Sequence, residues 1–99
     1  MQLRVLNAAD VTRALPMADA IAANREAFAS LVSGSIVAPP RVQVVEGDRT
    51  TLLRGASGAG VGRIAKVMNV FPGNRLRGAD VTSGVLLAID PETGETVGL

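Results

Sequence analysis

The pattern of apolar residues changes near Gly34. From residue 17 to residue 32 apolar side chains recur every three or four positions, which is typical of one face of an α-helix. Alanine, the strongest helix former, is abundant in this stretch. Pro16 suits the first turn of a helix, where its missing N–H is not needed, and Gly34 supplies a stop. The pattern therefore predicts a helix that begins at Pro16 and ends before Gly34.

A shorter helical segment is predicted ahead of it. Asn7 is a favourable N-cap, and Asp10 places a negative charge in the first turn. We expect one or two turns over residues 8–14, because Pro16 pushes Leu15 out of the α-helical conformation. Residues 3–6 alternate briefly between apolar and polar and predict a short edge strand.

After Gly34 the apolar residues alternate with polar ones, as in β-strands. Two prolines keep residues 37–40 extended. The predicted strands cover residues 41–46, 50–54, 63–71, 83–89 and 95–99. The connections between them are predicted as a hairpin turn at residues 47–49, loops at residues 55–62 and 72–80, and a tight turn at residues 90–94.

These elements predict a single α+β domain over residues 1–99, with N-terminal helices packed on a mostly antiparallel, mixed β-sheet. The sequence stops on an apolar residue inside a predicted strand, whereas domain boundaries usually fall in polar or glycine-rich linkers. We therefore expect the chain to be part of a longer protein.

Composition excludes several classes of function. Ten basic and nine acidic side chains give a net charge of +1, and only two residues are aromatic, so nucleic-acid and membrane-surface binding are not expected. The chain has no Cys and no His, which excludes thiol and imidazole catalysis, disulfides and zinc fingers. No apolar run approaches a membrane span and no signal peptide is evident, so we expect a cytoplasmic protein without a metal site.

The glycines at residues 58–62 invite comparison with a phosphate-binding loop. A dinucleotide-binding loop needs a helix directly after the glycines, but the next segment is rich in β-branched residues. A hairpin loop is the favoured interpretation, and no cofactor-binding residue is assigned.

Two cationic residues are candidates for binding an anion. Lys66 lies within an apolar run, so it either extends to water at the strand end or holds an anion in a pocket. Arg41 follows Pro39-Pro40, whose fixed backbone lowers the entropy lost on binding, and its planar guanidinium suits a carboxylate or phosphate. An exposed arginine at the start of a strand is the alternative, and the pattern leaves both possibilities open for each residue.

Several stretches taken together carry a family resemblance. They are Asn7-Ala8-Ala9-Asp10-Val11, Pro16-Met17-Ala18-Asp19-Ala20-Ile21, Pro39-Pro40-Arg41, Lys66-Val67, Phe71-Pro72-Gly73-Asn74, and Val85-Leu86-Leu87-Ala88-Ile89-Asp90 followed by Thr93-Gly94-Glu95. In this order they resemble the N-terminal region of the ornithine cyclodeaminase/μ-crystallin family. Members of that family are NAD(P)-dependent enzymes that act on amino, imino or keto acids.

The resemblance implies a substrate-binding and dimerisation domain that forms a homodimer through its β-sheet. Arg41 matches the arginine that binds the substrate carboxylate. Lys66 matches a catalytic lysine near that carboxylate and the reacting carbon. The Rossmann domain that holds NAD(P) in the family has no counterpart in this chain, so the chain alone is not expected to bind the cofactor or to be active.

Two departures from the family pattern leave the substrate open. Arg54-Gly55-Ala56 stands where Met-Pro-Ala is usual, and Ala79-Asp80 stands where Leu-Pro is usual. A different class of function also stays open, namely a non-catalytic oligomerisation or small-ligand module whose exposed sheet edge pairs with another copy.

Overall fold

The two predicted helices are confirmed. The computed structural model describes residues 2–58 and 62–99. Helix α1 spans Ala8–Ala14, and α2 spans Met17–Ser33. Asn7 begins α1 with a reciprocal capping box, in which its side chain accepts from the Asp10 N–H while the Asp10 carboxylate accepts from the Asn7 N–H, both at 2.9 Å. Gly34 ends α2 with φ 81°, in the left-handed region that glycine adopts without a steric penalty.

Six strands form one sheet. They are β1 (Ile36–Val37), β2 (Val42–Glu46), β3 (Arg49–Gly58), β4 (Gly62–Val70), β5 (Thr82–Ile89) and β6 (Thr96–Gly98). Their order is β1-β3-β4-β5-β6, with β2 pairing with β3 as well, and every pair is antiparallel. Arg4 adds one parallel bridge to Gly98, so the sheet is mixed. The α+β prediction is confirmed.

Two of the predicted loops are wrong. Residues 55–58 belong to β3 and Gly62 begins β4, while residues 59–61 lie outside the described part of the chain. Backbone groups make the hydrogen bonds of a sheet, so a glycine-rich segment stays paired where a partner strand runs beside it. In the second loop, Pro72–Arg77 form a 3₁₀ helix that begins with the proline. From within this helix the Asn74 side-chain amide donates to the Asp80 carbonyl oxygen at 3.0 Å.

The sheet has two unlike faces, because residues directly opposite in a ladder share a face and neighbours along a strand alternate. We call one of these faces the front face. On the central strands β3, β4 and β5 it consists of Thr50, Leu52, Arg54, Ala56, Ile64, Lys66, Met68, Val70, Thr82, Gly84, Leu86 and Ala88. The back face consists of Thr51, Leu53, Gly55, Ser57, Arg63, Ala65, Val67, Asn69, Ser83, Val85, Leu87 and Ile89. Val42 and Val44 of β2 extend the back face.

Both helices lie over one end of the front face. In α1, Ala8 and Val11 line a groove together with Leu86 and Ala88. In α2, Phe28 and Leu31 line another groove, whose opposite wall includes Ala56 and Ile64. The layer is thin, since no side chain of the described residues is fully buried. The radius of gyration of 15.4 Å exceeds the roughly 13 Å typical of a compact domain of this length.

Candidate functional site

Lys66 lies in the middle of β4, and its direct partners are Arg54 on β3 and Leu86 on β5. Arg41 immediately precedes β2. The described ladder ends at the pair Val42–Leu53, and continuing its alternation by one residue places Arg41 next to Arg54. With that extension, two cations on neighbouring strands and a third just before β2 follow one another across the front face. We call Arg41, Arg54 and Lys66 the cationic row.

The spacing of the row follows from the sheet. Neighbouring strands lie about 4.8 Å apart, so the backbones of Arg41 and Lys66 are roughly 10 Å apart, with Arg54 between them. All three side chains are exposed. Long side chains at this separation can reach one small anion, so the two predicted site residues share a face and a neighbourhood.

The cationic row has no acidic counterpart. The ion pairs among the described residues are Arg13–Asp10 and Arg49–Glu46, and neither includes a member of the row. The front-face positions of β2 to β5 hold no carboxylate. Like charges directly opposite in a sheet cost about 0.2–1 kcal/mol per pair. The row therefore creates a positive potential that an anionic ligand would relieve.

Sequence reasoning missed Arg54 as a member of the site. It treated the residue as a departure from the family pattern and not as a neighbour of the other two cations. The hairpin contains the signal, because Glu46 pairs with Arg49 across Gly47-Asp48 and this register runs to the pair Val42–Leu53, one residue short of Arg41 and Arg54. The pairing of Arg54 with Lys66 has no such local signal, because the glycine-rich residues between them are typical of a loop and do not indicate that β3 and β4 stay paired there.

Next to Lys66 the front face forms a shallow pocket of about 350 Å³ along β4 and β5. Gly84 forms part of its wall and lies opposite Met68. A Cβ at residue 84 would lie 2.5 Å from the Val67 carbonyl oxygen and 3.1 Å from the Met68 Cα. Only a residue without a side chain lets the two strands approach this closely. The pocket adds apolar walls, from Met68 and Leu86, to the ammonium group of Lys66.

The acidic side chain of Asp90 has a structural role in the turn after β5. Asp90 lies at the end of β5, where its carboxylate accepts from the Glu92 and Thr93 N–H groups at 2.8 and 2.9 Å. These bonds, led by the one from Thr93, hold the pKa of Asp90 below its ordinary value of 3.8.

Within residues 2–58 and 62–99, no group of acidic side chains could hold a metal ion. No helix in the same ranges is long and apolar enough to span a bilayer.

The fold closely matches solved structures of enzymes with bound nicotinamide cofactors. The Δ1-pyrroline-2-carboxylate reductase of Thermococcus litoralis, in complex with NADH and L-proline, superposes with a TM-score of 0.89 at 22% identity. An archaeal alanine dehydrogenase dimer with bound NAD gives 0.92 at 25% identity. The iminosuccinate reductase of Paracoccus denitrificans, in complex with NAD⁺, gives 0.79 at 20% identity.

Each of these matches covers 99% of this chain but only 30–31% of the other one. The chain thus spans less than a third of the length of the enzymes it resembles. No family model matches the sequence, and no curated protein matches it. The comparisons establish the fold of the domain, and they show that NAD-dependent reductases and dehydrogenases of amino and imino acids contain it.

Proposed function

We propose that this chain is the substrate-binding part of an NAD(P)-dependent enzyme of the ornithine cyclodeaminase/μ-crystallin type, acting on an amino or imino acid. One observation carries the proposal: Lys66 stands directly opposite Arg54 on the front face, next to the end of the β2–β3 ladder that Arg41 precedes, and none of the three cations is in an ion pair within the described residues. The fold supports it, because the solved structures that match are enzymes of this chemistry.

In this proposal the guanidinium of Arg41 binds the substrate carboxylate. Its planar fork can donate two parallel hydrogen bonds to the two carboxylate oxygens. The Lys66 ammonium adds a second positive charge to the same carboxylate. It would also donate a hydrogen bond or a proton to the substrate nitrogen, which receives the C=N electron pair when an imino acid is reduced. The exposed row would need a covering layer to exclude water during the reaction.

The nicotinamide cofactor, when bound, supplies or accepts a hydride. The described residues around the glycines do not fit a dinucleotide-binding loop, because Gly58 ends one strand and Gly62 begins another, whereas that loop leads into a helix. We therefore assign the cofactor to a Rossmann domain outside this sequence and derive no step through it.

The proposal can be tested by titrating the isotopically labelled chain with L-proline and L-alanine. L-Proline is bound in one of the matching structures, and another is an alanine dehydrogenase. Amide shifts should move most near residues 41, 54 and 66. Arg41→Met and Lys66→Met should each weaken binding at least tenfold. Arg63→Met removes the same charge from the back face of the same sheet and should leave binding unchanged. Binding that survives both front-face substitutions would refute the assigned roles.

A second role is proposed for the back face, namely pairing with another copy of this chain. Val42 and Val44 are 62% and 59% exposed there, and Val85 is 48% exposed. Contiguous exposed apolar surface of this kind is typical of an interface. One of the matching structures is a dimer, which supports a second copy as the partner.

Neighbouring valines allow a matched test of that role. Val44 points to the back face and Val45, 61% exposed, to the front. In sedimentation experiments Val44→Asp should turn a dimer into a monomer, whereas Val45→Asp should leave it intact. A different result would favour a non-catalytic oligomerisation module. In that case the chain would bind no amino acid, and adding amino acids would not change the amount of dimer.

A further inference from the structure

Arg54, the middle cation of the row, has no role in binding a ligand that carries a single carboxylate. Arg54 is the direct partner of Lys66, and Arg41 stands one residue beyond the end of the β2–β3 ladder, on the other side of Arg54. A single carboxylate carries one negative charge, whereas the row carries three positive ones. If Arg41 and Lys66 bind that carboxylate, a guanidinium between them gains only like-charged neighbours.

The surroundings of Arg54 do not provide the missing charge. Its neighbours on the same face of β3 are Leu52 and Ala56, and the described front-face positions of the flanking strands hold no carboxylate. The side chain is exposed and takes part in neither of the ion pairs of the described chain. Arg54 lies on the same face as the pocket beside Lys66, but on the β3 side of that lysine, whereas the pocket runs along β4 and β5.

We propose that Arg54 determines substrate class, by binding a second carboxylate on the substrate, so that the site takes dicarboxylic amino or imino acids. This inference rests on the proposed function, since it assumes that Arg41 and Lys66 bind the first carboxylate. The row extends over roughly 10 Å, which accommodates two carboxylates separated by a few bonds. A dianion also neutralises more of the row than a monoanion does.

The geometry favours a guanidinium for this task. Two parallel N–H donors can hold the second carboxylate in one orientation, while a hydrocarbon side chain at residue 54 would leave it unpaired beside an apolar strand. A site that hydrogen-bonds a polar substrate group rejects analogues that lack it more strongly than an apolar pocket rejects an extra group. Arg54 would thus select dicarboxylates and not merely tolerate them.

The test compares L-aspartate with L-asparagine, which have similar shape and differ in the charge of one terminal group. Their dissociation constants for the whole 99-residue chain are measured by NMR titration at fixed ionic strength. We expect L-aspartate to bind at least tenfold more tightly. Arg54→Met should bring the two constants to within about twofold of each other, mainly by weakening the binding of L-aspartate. Arg54→Lys should keep part of the preference.

Arg63→Met is the matched control, because it removes the same charge from the back face and should preserve the tenfold ratio. Amide spectra of each variant verify that it is folded. The assignment of Arg54 would be overturned if the unsubstituted chain bound both amino acids equally, or if Arg54→Met did not change the ratio of the two dissociation constants. In that case the proposed function would still be upheld if L-asparagine binding depended on Arg41. Failure of both amino acids to bind would overturn both.

Discussion

The front and back faces of the sheet differ in what each one lacks. The front face is partly covered by α1 and α2 and carries three cations without a carboxylate. The back face leaves valines of β2 and β5 exposed. One face lacks negative charge and the other lacks apolar contact. A small anion can supply the first and another protein surface the second, so the two proposed roles, substrate binding and pairing with a second copy, fall on different faces.

The largest effect on stability is expected at Gly84, where the backbones of β4 and β5 approach each other closely beside the front-face pocket. Gly84→Ala should lower the free energy of unfolding by about 1–3 kcal/mol, the usual cost of forcing an extra methyl group into a filled space. The reason is the 2.5 Å approach of its Cβ to the Val67 carbonyl oxygen. Chemical denaturation measures the change.

Gly73→Ala provides the comparison for that experiment, since a Cβ at residue 73 meets no atom within 4 Å. It should change the free energy of unfolding by less than about 0.5 kcal/mol. If the two alanine variants were equally stable, the close approach of β5 to β4 would not be a constraint on the pocket.

A smaller effect is expected from the polar group on the back face. The Thr51 hydroxyl donates to the Asn69 side-chain oxygen at 2.7 Å in a half-buried environment. Thr51→Val removes this bond and should cost about 1 kcal/mol in the free energy of unfolding. Thr50→Val, on the front face of the same strand, should be close to neutral. Similar losses at both positions would mean that the hydrogen bond contributes nothing specific.

The cations of the front face should reduce stability slightly. Lys66→Met relieves the repulsion with Arg54 and should raise the free energy of unfolding by about 0.2–1 kcal/mol while weakening anion binding. The gain should shrink at high salt, which screens exposed charges. Arg63→Met, whose cross-strand partners are Ser57 and Ile89, should show no such gain. A destabilised Lys66→Met variant would show that the lysine is held by favourable contacts and not by a ligand.

The smallest effect concerns Asp90, which belongs to the turn after β5. Its folded-state pKa is lowered, mainly by the Thr93 backbone bond, so its carboxylate stabilises the fold above the ordinary value of 3.8. That contribution is lost as the pH falls through the lower, folded-state pKa. Carbon-13 detection of the Asp90 carboxyl group should show titration below 3.8. Asp90→Asn should remove this part of the acid dependence, and titration at or above 3.8 would contradict the turn geometry.

Local patterns in the sequence determined the elements of this protein. The Asn7 cap, the stop at Gly34 and the hairpin at Gly47-Asp48 are set by side chains and turn residues within a few positions of each other, and all three are present in the structure. Arg41 and Lys66 stood out for the same reason, since an unusual residue type within a regular pattern is visible without knowledge of the fold.

Only the tertiary structure decided which of these residues meet. The glycines at residues 55–58 have little strand propensity, and the pairing with β4 overrides it. That pairing brings Arg54 opposite Lys66 and lets β5 approach β4 at Gly84. Register between strands depends on contacts far apart in sequence, and a shift of one residue would move the cations to opposite faces. The cationic row is therefore a property of the ladder and not of any single motif.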